Sequence, residues 1–127
     1  MSVYSDMMVE ALRREGVACE AEAKISSFAQ ASPLLMRCRF DFFIPSKKIF
    51  LEINGAQHFR LSKANPPMDF KSRVERDMRK RRWAWANGFK VIDVNMYHYR
   101  EARGKCLEAA AYIKATPEEK MPDWKRF

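Results

Sequence analysis

The chain has 127 residues, with 24 Lys plus Arg against 16 Asp plus Glu, a formal charge of +8 and a sequence pI near 9.6. At 47% hydrophobic and 31% charged residues, it is long enough to close one core and too apolar for a disordered tail or a fibre. Its apolar runs stop well short of the roughly 18 residues of a membrane span, its N-terminus lacks a signal-like apolar stretch, and Cys19, Cys38 and Cys106 have no zinc-ligand spacing, so a cytoplasmic domain without membrane contact is expected.

Tyr4, Met8, Ala11 and Leu12 recur at helical spacing between a Ser/Asp start and Gly16, which predicts a first helix over about 5–15. The segment from Val17 to Ile25 alternates polar and apolar residues, as a short strand does. From Leu34 to Ile44 every even position is apolar, while Arg37, Arg39 and Asp41 take odd ones. From Lys48 to Asn54 the parity reverses, with Ile49, Leu51 and Ile53 apolar. Pro45-Ser46-Lys47 lies between the two runs, so they predict a β-hairpin. A turn centred on Ser46 and Lys47 pairs Ile44 with Ile49, Phe42 with Leu51 and Phe40 with Ile53, and sets Asp41 opposite Glu52 on the other face. A slip of one residue would destroy every match.

After a loop from Arg60 to Phe70 containing Pro66-Pro67, Val74, Met78 and Trp85 mark a second helix over about 71–87 that stops at Gly88. Phe89 to Asn95 reads as a largely buried strand, and Tyr99 to Ala115 as a final helix before a tail over 116–127. This order predicts an α/β fold, a mixed sheet of about four strands flanked by helices, in a single domain over 1–127 with its core at about 5–115.

The excess charge is local. Residues 1–59 carry seven bases and seven acids, residues 106–127 four of each, and residues 60–105 thirteen bases against five acids. Seven of those bases, Lys71, Arg73, Arg76, Arg79, Lys80, Arg81 and Arg82, fall on the second helix, with Arg60 and Lys63 in the loop before it. Such a patch is the footprint of a polyanion, most often nucleic acid, although a solvated basic helix has the same composition. Because these bases circle most of the helix, only some can contact phosphates. Trp83 and Trp85 face apart on it, so at most one lies firmly in the core.

Asp41 and Glu52 are the first chemical candidates. Directly opposed residues have Cβ atoms about 5 Å apart, so these two carboxylates can share one divalent cation through hard oxygen donors; alternatively, Arg37, Arg39 or Lys48 neutralises them in a cross-strand network. Just beyond Glu52, the strand exits through Gly55 to Gln57 and His58. An imidazole there can accept a proton from water or donate one to a leaving oxygen.

Asp41-Phe-Phe-Ile-Pro, Ile49-Phe-Leu-Glu52-Ile-Asn-Gly-Ala-Gln57-His58-Phe, Arg76-Asp77, Gly88-Phe and Val91-Ile together resemble the PD-(D/E)XK nuclease superfamily. The branch they are most similar to holds very-short-patch-repair endonucleases and phage homing endonucleases with an E-D-x-H-D residue set, and the likeness runs from about Glu10 to Val94. The resemblance implies a restriction-endonuclease-like core and Mg²⁺-dependent cleavage of DNA, with Mn²⁺ as a substitute. By the same likeness, Asp41 is the main metal ligand, Glu52 the acid of the second strand, His58 the proton-transfer group, Asp77 the later aspartate and Glu10 the first-helix glutamate. Asn54 stands where the superfamily carries a lysine or this branch an aspartate, leaving Gln57 to supply part of the missing contact. Duplex or branched DNA is the expected partner, with a homodimer or a larger complex as the assembly; a nucleic-acid-binding module without the chemistry and an RNA-cleaving nuclease are the rival readings.

Overall fold

A computed structural model describes residues 3–28, 32–55 and 70–127. Helix α1 (Val3–Arg14) leads to strand β1 (Glu20–Lys24), then β2 (Arg39–Ile44) and β3 (Ile49–Gly55). Helix α2 (Phe70–Ala86), strand β4 (Lys90–Met96), helix α3 (Tyr99–Ala115) and strand β5 (Trp124–Arg126) follow among the described residues. The five strands lie in the order β1-β2-β3-β4-β5. The first three are antiparallel, and β3, β4 and β5 are parallel. The protein is therefore α/β, with a five-stranded mixed sheet and three helices packed against it.

The hairpin has the register that its apolar pattern requires, with Phe42 opposite Leu51 and Ile44 opposite Ile49. Lys48 takes the left-handed backbone conformation, φ 55°, that closes the turn. Helix α3 begins and ends where its sequence pattern does, and Lys47 holds its end by donating to the carbonyls of Ile113 and Thr116 at 2.8 and 2.6 Å. Those carbonyls have no partner further along the helix, and a cation at a helix C-terminus also complements its dipole.

The two sheet faces carry separate cores. Met8 and Leu12 of α1 and Cys106, Ala109 and Ile113 of α3 pack with Ile44, Ile49, Leu51, Ile92 and Val94. On the other face, Trp83 and Ala84 of α2 pack with Phe40, Phe50 and Val91, flanked by Phe28, Phe43 and Phe89. Of the two α2 tryptophans, Trp83 is thus the one in the core, while Trp85 donates its Nε1–H to the Asp123 carbonyl at 2.7 Å.

Three expectations need correction. First, residues 34–38 are not strand: Pro33–Leu35 forms a short 3-10 turn, and Leu34 and Met36 are 81% and 51% exposed. Pro33 starts that turn with φ already fixed, and the alternation of apolar residues there serves no buried face. Second, Phe40 does not pair with Ile53 but stacks on Phe50 with ring centroids 4.5 Å apart, on the α2 face. The hairpin's paired residues end at Phe42 and Leu51, and beyond them the Asp41 carboxylate accepts the Ile53 N–H at 2.7 Å. Third, the tail is part of the sheet. Phe127 N–H donates to Asp93 O and Asn95 N–H to Phe127 O, each at 2.8 Å, which makes β5 the fifth strand. Three residues are too few for a readable period.

Candidate active site

Across the α2 face, β3 and β4 change from apolar to polar within two residues. Phe50 pairs with Val91, then Glu52 with Asp93 and Asn54 with Asn95. Asp41 of β2 extends the Glu52 row on one side and Arg126 of β5, paired with Asp93, extends it on the other. Carboxylates this poorly exposed to water need partners. Asp41 has the Ile53 N–H. Asp93, 5% exposed, accepts from Trp124 Nε1–H and from Asn54 Nδ2 at 3.3 Å. Glu52 has Lys80, whose Nζ lies 2.5 Å from Oε2.

Lys80 comes from α2, and its side chain is 8% exposed. Its ammonium also lies 4.6 Å from the Phe40 ring centre, a cation–π contact in addition to the ion pair. The sequence assigns Lys80 to a phosphate-gripping surface, whereas the structure turns it inward. The reason is its position one turn before Trp83 and Ala84, on the stripe that α2 buries.

A cavity of about 330 Å³ opens above this row, lined by Asp41, Glu52, Asp77 and Lys80 and edged by Arg37, Arg39 and Arg76. Burial pushes the Glu52 carboxyl up to about 8, with Asp41 raising it further and the Lys80 ammonium opposing both. A carboxyl that changes charge near neutrality, beside a second carboxylate and a buried ammonium, is the arrangement expected where protons or cations are handled.

The cavity gathers Asp41, Glu52 and Asp77, and with them Arg76 and Lys80. It does not gather Glu10, which is exposed on α1 and ion-paired with Arg13 and Arg14 at 3.5 Å each. Gln57, His58, Arg60 and Lys63 lie outside the described residues. Among the other α2 bases, Lys71, Arg79 and Arg82 are exposed, Arg73 is half-buried, and Arg81 lies with its guanidinium carbon 4.4 Å from the Trp124 ring centre. Arg37 and Arg39 on the rim belong to the neutral part of the chain, so charge counting passes over them. Arg39 is also paired with Glu22 at 3.2 Å. Asn54 donates to Asp93 and Asn95, fixing the row next to the cavity.

Asp41 and Glu52 offer the hard oxygen donors that Mg²⁺ takes. Among the described residues, no three His, Cys, Asp or Glu side chains are gathered closely enough to hold a metal ion. Two carboxylates still fit Mg²⁺, which keeps several waters and completes its shell from substrate phosphates. No helix among the described residues is long and apolar enough to cross a membrane. Comparison with family models, curated proteins and solved structures finds no match for this chain.

Proposed function

We propose that the protein is a metal-dependent endonuclease that hydrolyses DNA phosphodiester bonds and works in the cytoplasm. The observation that carries this reading is the convergence of Asp41, Glu52, Asp77 and Lys80 on one cavity edged by Arg37, Arg39 and Arg76. The resemblance to PD-(D/E)XK nucleases points the same way, because it singles out Asp41, Glu52 and Asp77 from sequence alone. Asp41 and Glu52 would hold Mg²⁺, which supplies neutralisation of charge at the phosphoryl oxygens and a lowered pKa for water.

The protein's own groups have separate tasks. The Ile53 N–H fixes the Asp41 carboxylate, so that ligand is already oriented. Lys80 brings a desolvated ammonium to the Glu52 side of the cavity, where the superfamily's strand lysine would otherwise act. Its charge stabilises negative charge developing on the phosphate more strongly than an exposed lysine would. The rim arginines and the exposed α2 bases Lys71, Arg79 and Arg82 grip the backbone on either side, a contribution to affinity that falls with salt.

One observation favours a second reading, a nucleic-acid-binding module without the chemistry: the Lys80 ion pair already neutralises Glu52. Incubation of supercoiled plasmid, single-stranded DNA and RNA with the protein, with and without Mg²⁺ or Mn²⁺, separates the readings. The expected result is DNA cleavage that requires the metal and falls by at least about 10³-fold in Asp41→Ala, as removal of a group acting on the transition state does. Binding with no cleavage in either metal would establish the module, and cleavage confined to RNA would replace the substrate.

A further inference from the structure

Immediately past the end of β4, the chain runs Tyr97-His98-Tyr99-Arg100 into the first turn of α3. Tyr97 and Tyr99 are 50% and 63% exposed, two large aromatic side chains where a surface would ordinarily turn them in. They are braced. Lys105 donates to the Asn95 carbonyl at 2.5 Å and holds its ammonium 5.3 Å from the Tyr97 ring centre. Tyr99 packs against Tyr4 of α1, with ring centres 6.2 Å apart. An open cavity of about 680 Å³ is lined by Tyr97, His98, Tyr99, Arg100 and Glu101. From Tyr97 to Lys105 there are three bases, Arg100, Arg103 and Lys105, against the single acid Glu101.

Exposed rings supported from behind, with a guanidinium beside them and a positive local balance, match the chemistry of an unpaired base and its phosphate. Every base offers a π face to an aromatic ring, and the cations take the backbone. A duplex keeps its bases stacked on one another and cannot use such rings. The position agrees with the candidate active site. Glu52 is paired with Asp93, and β4 runs three residues on from Asp93 to its end at Met96, roughly 10 Å at about 3.3 Å per residue, with Tyr97 next in the chain. That strand span is about three stacked base steps at about 3.4 Å each.

We infer that Tyr97, Tyr99 and Arg100 form a stacking platform for unpaired nucleotides of DNA, so that the cavity acts on DNA with a single-stranded segment next to the cut. This substrate assignment rests on the nuclease reading, but the binding it requires does not.

The test measures binding of a 12-mer single-stranded DNA and of its duplex to the full chain, in EDTA, by fluorescence anisotropy. Tyr97→Ala/Tyr99→Ala is expected to weaken single-strand binding by at least about fivefold and to change duplex binding by less than about twofold. Tyr97→Phe/Tyr99→Phe keeps the rings and should bind as the parent does. Far-UV circular dichroism and a thermal melt establish that each variant is folded. Equal losses on both DNAs, no loss on either, or the same loss in the Phe variant would overturn the platform. Cleavage in Mg²⁺ is scored separately. A protein that never cuts, yet loses single-strand binding in the Ala variant alone, refutes the nuclease reading and leaves the platform standing.

Discussion

On the α1/α3 face, β3 and β4 present Ile49, Leu51, Ile92, Val94 and Met96, all fully or almost fully buried. On the α2 face, the same strands present Phe50 and Val91 and then, in the next row, Glu52 and Asp93. One face is a continuous apolar layer; the other stops being apolar halfway along. An apolar side chain in that row would avoid the desolvation that Asp41, Glu52 and Asp93 suffer, since buried ion pairs are often no more stable than hydrophobic replacements. Each of the three acids instead has a dedicated partner: the Ile53 N–H, Lys80, and the Trp124/Asn54 pair. Stability alone does not call for such a row, and that contrast supports the proposal that the α2 face is the functional one.

The largest effects should come from neighbours that face apart. Phe50→Ala and Leu51→Ala each remove a fully buried side chain and should lower unfolding free energy by about 3–5 and 2–5 kcal/mol, measured by urea denaturation. Their effects on cleavage should differ. Phe50 supports Phe40, over which Lys80 sits, so Phe50→Ala should also reduce cleavage per folded molecule by at least about tenfold, as misplacing a positioned group does. Leu51→Ala should leave that rate within about twofold of the parent. Equal losses of rate in the two variants would mean that the faces are not functionally distinct.

A smaller effect concerns the charge row itself. Burial pushes the Glu52 carboxyl from its ordinary value of 4.5 up to about 8, against the opposing pull of the Lys80 ammonium. Between those values the folded state binds more protons than the unfolded chain, so this group's contribution to stability falls as pH rises from about 4.5 through about 8. In metal-free buffer, the parent melting temperature should decline from pH 6 to pH 9 more steeply than that of Glu52→Gln, which has no proton to lose. Parallel curves would show that Lys80 keeps Glu52 ionised throughout.

The sequence carried local information well and cross-chain information poorly. Helix α3 and the register of β2 against β3 were legible because their periods are clean and the turn between the strands is short. Asp41 was expected directly opposite Glu52; the paired ladder stops one residue short of that, at Phe42 and Leu51, yet both carboxylates line the same cavity. Lys80 could not be found in the same way. Six other bases surround it on α2, and only the identity of the buried stripe, set by the sheet beneath, turns this one inward. Phe40 misled because alternation assumes an unbroken ladder, whereas the Asp41 side chain takes over a backbone partner just there. Strand β5 carries too little period to announce itself and depends on β4 for its hydrogen bonds.

The smallest expected effect tests the other side of the comparison. Glu10 is assigned a site role by family likeness, yet its side chain is 52% exposed and pairs with Arg13 and Arg14 along its own helix. It faces a groove between α1 and α3 lined with Met7, Arg103 and Leu107, whereas Asp41 and Glu52 line the cavity under α2. Exposed ion pairs of this kind are worth at most about 0.5 kcal/mol each. Glu10→Gln should therefore shift unfolding free energy by less than about 1 kcal/mol and leave metal-dependent cleavage within about twofold of the parent. A loss of cleavage approaching that of Asp41→Ala, in a protein of unchanged stability, would mean that α1 contributes to catalysis after all. The division of labour between the two faces would then fail at its clearest point, because among the described residues the ion pairs of Glu10 stay within α1.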